Sequence, residues 1–137
     1  MAEPLQVEVV SADRLVWEGE ATMVIARTTE GDVGVMPRHE SFLAGLVACV
    51  VEIVTDDGRR ERVAIDGGFI AVHDNRVSIL SQAASLDREI SPDEARRELD
   101  KLTRLKEAGD MSDDDLHRYH LVTAQLKLVD QKQTQNH

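Results

Sequence analysis

Leu5, Val7 and Val9 alternate with Gln6 and Glu8, the two-residue period of a strand with one buried face. Short apolar runs follow at 15–17 and 23–26, separated by Glu18-Gly19-Glu20. Residues 46–54 form a continuous apolar run broken only by Glu52. Its β-branched residues, Val47, Val50, Val51, Ile53 and Val54, favour strand over helix. Thr55-Asp56-Asp57-Gly58 reads as a hairpin turn before a return strand at 60–65. A strand at 69–72, a turn at His73-Asp74-Asn75 and a strand at 77–80 complete the pattern. Many short strands at close spacing predict an antiparallel sandwich or barrel.

The period changes near residue 84. Ser91 has the chemistry of a helix N-cap, Pro92 fits the first helical position, and Glu94 completes a capping box. Ala95, Leu99, Leu102 and Leu105 then form an apolar stripe at helical spacing. Gly109 is placed to end the helix in a left-handed cap. Ser112, with Asp115 three residues on, opens a second helix. Its expected inner stripe is Leu116, Tyr119, Thr123, Leu126 and Val129 or Asp130. The short turn between the helices requires them to fold back antiparallel. Neither stripe is wide, so the hairpin is expected to be marginal alone, and the polar residues 131–137 to fray. The expected division is a β-sandwich over 1–84 and a helical hairpin over 85–137.

Composition narrows the function classes. The net charge of -10 and an aromatic content of 3% argue against nucleic-acid binding, which needs basic surface and stacking rings. The same charge opposes direct adsorption to an anionic membrane. No apolar run approaches the ~20 residues that span a bilayer, and the first residues lack the pattern of a signal peptide. Cytoplasmic location is expected, with any membrane association made through a partner. Cys49 stands alone in an apolar run, the setting of a buried, inert thiol.

Candidate chemistry is sparse. His117 and His120 lie three apart on the second helix, near Asp113, Asp114 and Asp115, a spacing at which two imidazoles could share a metal. The aspartates, however, occupy a first helical turn, where the helix dipole favours them without a metal. No metal site is assigned. No serine or cysteine nucleophile has a recognisable partner, and no phosphate-binding glycine loop is present. No enzyme activity and no cofactor are expected.

Two glycine-bearing segments remain. Residues 30–39, Glu-Gly-Asp-Val-Gly-Val-Met-Pro-Arg-His, combine Gly31, Gly34 and Pro37 into what reads as a stiff, shaped loop. Asp66-Gly67-Gly68-Phe69 repeats the arrangement before an apolar strand. In this order, and followed by a helical hairpin, these segments resemble the epsilon subunit of bacterial F-type ATP synthases. The resemblance covers nearly the whole chain.

That resemblance implies a ten-stranded β-sandwich followed by two helices. It implies a non-catalytic central-stalk subunit at the cytoplasmic face of the membrane, bound to the gamma subunit and the ring of c subunits. It places Asp32, Arg38, His39 and Glu40 as candidate partner contacts, with Asp32 facing the c-ring. It makes the hairpin a switch that extends towards the catalytic alpha and beta subunits and opposes ATP hydrolysis. Arg96, Arg97, Lys101 and Arg104 then read either as a solvated helix face or as contacts to an acidic segment of the catalytic subunit. Some members of that family bind ATP through I/L-D-x-x-R-A. Here the ungapped match, Ile90-Ser91-Pro92-Asp93-Glu94-Ala95, sets Ser91 and Glu94 where aspartate and arginine belong, and no nucleotide site is assigned. The alternative class is a β-sandwich interaction adaptor outside the synthase.

Overall fold

The computed structural model describes residues 3–135. Ten strands precede two helices: β1 (Leu5–Val10), β2 (Leu15–Ala21), β3 (Met23–Thr28), β4 (Gly31–Val35), β5 (Phe42–Leu46), β6 (Cys49–Val54), β7 (Arg60–Ile65), β8 (Gly68–His73), β9 (Arg76–Leu80) and β10 (Ala84–Leu86), then α1 (Pro92–Glu107) and α2 (Asp113–Gln135). The strands hydrogen-bond in the order β10-β7-β6-β3-β5-β8-β9-β1-β2, with β4 on β3. β3 pairs with β6 through 23–25 but touches β5 only at Thr28 opposite Leu46, so one strand hinges two layers. This is the expected sandwich. All pairings are antiparallel except β1 with β9.

The core lies between the layers. Leu5, Val7 and Val9 are buried as their alternation requires, together with Val24, Ile53, Val63, Ile65, Ile70, Val77 and Ile79. The paired glycines that lead into β8, Gly67 and Gly68, make room for the opposite chain. A Cβ on Gly68 would sit 1.9 Å from the Leu80 carbonyl oxygen, and its φ of +134° is closed to other residues. Asp74 and Asn75 both take positive φ, making a two-residue turn matched to strand twist.

Several expectations change. The apolar run at 46–54 is not one strand. It breaks between Leu46 and Cys49, where the chain crosses from one layer to the other. The Val47 N–H there donates to the Arg27 carbonyl. β5 and β10 carried no alternation long enough to be read. The segment 30–39 is not wholly a loop, because β4 occupies half of it and pairs with β3. Gly34 lies within that strand without positive φ, which in this segment is taken by Gly31, at 124°, and Arg38, at 71°.

The hairpin folds back onto the sandwich. Ser91 Oγ accepts the Glu94 N–H, and Ser112 and Asp115 each accept the other's backbone N–H at 3.1 Å. Gly109 N–H donates to the Lys106 carbonyl and Asp110 N–H to that of Leu105, a paired left-handed cap. The expected stripe on α2 needs correction. Leu116, Thr123 and Asp130 are exposed, while Val122, Ala124 and Leu128 are buried. α2 has two neighbours, so its apolar residues form two stripes. Val122, Tyr119 and Leu126 meet α1. Ala124 and Leu128 meet Ala64, Val50 and Ile90 on the outside of the sandwich. Helix α2 also runs through 131–135, expected to fray, while the same expectation for 136–137 lies outside the described residues.

Candidate functional site

The sequence-predicted contacts do not form one patch. Asp32 lies at the start of β4, exposed and ion-paired with Arg27 at 2.9 Å. Arg38, His39 and Glu40 follow the other end of β4. Three residues of β4 lie between Asp32 and Met36, four steps along the chain and about 13 Å of rise. The second group is held firmly for a surface turn. Arg38 N–H donates to Asn75 Oδ1 at 2.7 Å, and His39 N–H donates to the Met36 carbonyl at 3.1 Å. The His39 ring lies 5.2 Å from that of Phe42, and its Nδ1 is 2.8 Å from the Glu40 carbonyl oxygen. Ser41 Oγ adds a contact of 3.0 Å to His73 Nδ1. Thus the turn presenting Arg38, His39 and Glu40 is pinned to the β8–β9 turn.

An apolar surface that the sequence reading missed lies on the outer face of the second layer. Leu43 is 72% exposed, Phe69 57% and Leu80 49%. Phe69 stands opposite Gly45 on one side and Leu80 on the other, while Leu43 and Ser78 flank Ala71. All six residues share one face of three neighbouring strands. Their alternate neighbours, Ala44, Ile70 and Ile79, face the core. The available signal was an apolar residue on both faces of a short strand, as in Phe42-Leu43-Ala44, which a period search discards. Exposed apolar side chains gathered on one strand face are a candidate docking surface.

On α1 the basic side chains are exposed. Arg97, Lys101 and Arg104 fall at i, i+4 and i+7 on one face, whereas Arg96 turns aside to Asp93 at 3.5 Å. Arg97 and Lys101 border a groove between the helices that Asp115 and Arg118 also line. Arg118 in turn is ion-paired with Glu98 across the hairpin. Asp115 is held below the usual carboxylate range, chiefly by the Ser112 backbone N–H.

The two candidate metal ligands on α2 have different neighbours. His117 Nδ1 faces Asp66 Oδ2 at 3.6 Å, and the His120 ring lies 6.2 Å from that of Tyr119. Cys49 is buried, and burial pushes its thiol upward in pKa. Among the described residues no helix is long and apolar enough to cross a membrane.

This architecture and sequence have relatives. Residues 4–87 match the family described as ATP synthase, Delta/Epsilon chain, beta-sandwich domain. The ATP synthase epsilon chain of Cutibacterium acnes is 50% identical over 131 residues, covering 90% of each chain. That of Streptomyces avermitilis is 50% identical over 110 residues, covering 80% of this chain and 86% of the relative. The fold is also similar to a chain in the Euglena gracilis mitochondrial ATP synthase structure of OSCP, F1 and c-ring. The TM-score there is 0.74 at 18% identity, over 97% of this chain and 83% of that one. The match over the sandwich and the identity over nine-tenths of a full relative agree, and the chain belongs to the ATP synthase epsilon-chain family.

Proposed function

We propose that this chain is the epsilon subunit of an F-type proton-translocating ATP synthase, a non-catalytic part of the central stalk. The observation that carries the reading is that the likeness to epsilon chains spans both the sandwich and the hairpin. In this role the sandwich binds the gamma subunit and rests on the c-ring, so c-ring rotation reaches the catalytic sites through a stiff coupling. The architecture suits that task. Two layers share one core, and the exposed turn at Arg38 is tied to a second turn by hydrogen bonds. The separation of Asp32 from Arg38, His39 and Glu40 supports two contacts rather than one. Asp32 is assigned to the c-ring, and the Arg38 turn together with Leu43, Phe69 and Leu80 to gamma.

The hairpin is assigned the regulatory role. It is docked, held by Ala124 and Leu128, by Gln125 Nε2 donating to Ser85 Oγ at 2.9 Å, and by Lys132 with Asp87 at 3.3 Å. A helical hairpin docked on the outside of a separately cored sandwich allows a second state of similar free energy. In the extended state Arg97, Lys101 and Arg104 would meet the alpha and beta subunits and restrain ATP hydrolysis. β10 (Ala84–Leu86) crosses the expected boundary between 84 and 85, so the division between the two parts is best set beyond it, near Ile90. The subunit would sit at the cytoplasmic face of the membrane, held there by its partners.

The test is affinity capture of the tagged chain from detergent-solubilised membranes of its own cell. Gamma and c subunits in stoichiometric amounts are expected. Capture without them, or with an unrelated assembly, would favour an adaptor outside the synthase.

A further inference from the structure

Asp66, in the turn between β7 and β8, has a side chain only 2% exposed. Its Oδ1 accepts the Ala83 N–H at 3.1 Å, which fixes the carboxylate in place. Its Oδ2 is buried without a hydrogen-bond partner, and so is Ser81 Oγ. Both residues line one cleft of about 310 Å³, whose apolar walls are Phe69 and Leu80. His117, near the start of α2, lines the cleft too. Its Nδ1 stands 3.6 Å from Asp66 Oδ2, which sets that oxygen on the cleft side and is too long for a hydrogen bond. No lysine or arginine is among the described residues that line the cleft. A buried carboxylate oxygen with no donor is costly, and a cation that reaches it offsets the cost.

We infer that this cleft is a socket for one basic side chain, lysine or arginine, presented by the subunit that covers the neighbouring apolar face. The unmet groups select that chemistry. An ammonium or guanidinium head is all donors and no acceptor, and it meets two oxygens that lack donors. A divalent metal ion fits less well, since calcium takes about six to eight oxygen ligands and the lining holds a single carboxylate. Leu80 offers apolar surface to the methylene stem, and the Phe69 ring offers a face to the charge. The volume is at the lower end of the range of small-ligand pockets, about 300 Å³, which suits one long side chain. His117 is 59% exposed, so its ring is free to turn into solvent as the cation enters.

Phe69 and Leu80 belong both to the cleft wall and to the exposed face assigned above to gamma. A subunit seated on that face passes the mouth of the cleft. The occupant is therefore a side chain of gamma, and this identification rests on the gamma contact proposed above. The apolar face then contributes area, while the buried carboxylate fixes register, because a charge displaced from the socket is left unpaired.

The test is titration of purified gamma with the full-length chain and two variants, Asp66→Asn and Leu43→Glu. Asp66→Asn keeps the shape of the side chain and an acceptor for the Ala83 N–H but removes the charge. It should weaken gamma binding at least tenfold. Its melting temperature without gamma should equal or exceed that of the natural chain, since the carboxylate it replaces is unpaired there. Loss of thermal stability in Asp66→Asn would make the carboxylate a structural group and overturn the socket. Unchanged affinity in Asp66→Asn would overturn it as well. Leu43→Glu reports on the apolar face separately. If it weakens binding and Asp66→Asn does not, the gamma contact stands and the socket alone fails. If Asp66→Asn weakens binding and Leu43→Glu does not, the socket stands and the apolar contact lies elsewhere. Unchanged affinity in both overturns the two together.

Discussion

Glu89 receives both terminal N–H groups of Arg14, each at 2.8 Å, across 75 positions of sequence. The Glu89 Oε1 atom also accepts the Leu86 N–H at 2.8 Å, and Arg14 reaches the Ala84 carbonyl at 3.3 Å. The β1–β2 turn is thereby strapped to the end of β10, where the two outermost strands of the pairing order approach each other. The strap stands at the point where the sandwich ends and the hairpin begins.

The Arg14 hydrogen bond holds the Glu89 carboxyl below its usual pKa, aided by the Leu86 N–H. A group whose pKa is depressed on folding stabilises the fold above its ordinary pKa, and that contribution disappears as pH falls through the lowered value. The two side chains are 40% and 35% exposed, so screening limits the pair's worth to about 1 kcal/mol. Glu89→Gln should therefore lower stability to urea by about that amount at pH 7. Near pH 3 the difference from the natural chain should shrink. Equal stabilities at pH 7 would mean that the strap contributes nothing.

Two glycines distinguish backbone necessity from surface. Gly68→Ala should cost about 3 kcal/mol or more, because the added methyl meets the Leu80 carbonyl at a left-handed position. Gly34→Val should change stability by no more than about 0.5 kcal/mol, since β4 there is extended and a Cβ meets nothing within 4 Å. Thermal unfolding of both variants checks the contrast. A large loss at Gly34 would show that the edge strand is more constrained than its geometry implies.

Local chemistry made much of this legible from sequence. Ser91, Ser112 and Gly109 declare helix ends through side-chain oxygen and missing Cβ, and each acts where it was expected. Asp57-Gly58 marked the β6–β7 turn in the same way. What escaped is set by neighbours distant in sequence. The break at 46–49 depends on the crossing between layers. The second stripe of α2 depends on Ala64, which is buried on the outside of β7 only because the helix covers it. Asp66 and His117 are 51 positions apart and carry no shared motif. The resemblance implies both Asp32 and His39 as partner contacts, and only the structure shows that they lie at opposite ends of β4.

The apolar face yields a prediction about assembly. Leu43→Glu and Phe69→Ser remove exposed side chains, so the circular dichroism spectrum and melting should stay close to those of the natural chain. Affinity for gamma should drop by about tenfold or more for each, as for anchors at the centre of an interface. Titration of purified gamma with each variant measures it. Undiminished affinity in both would move the gamma contact elsewhere.

The central claim is that the sandwich couples while the hairpin restrains. Ending the chain after Ile90 keeps every strand and the Arg14–Glu89 strap and removes both helices. The decisive measurement is the pair of rates, proton-driven ATP synthesis and ATP hydrolysis, in membranes reconstituted with the full or shortened chain. The account predicts normal assembly, synthesis close to that of the full-length complex, and raised hydrolysis. Loss of assembly, or hydrolysis unchanged by removal of the hairpin, would contradict it.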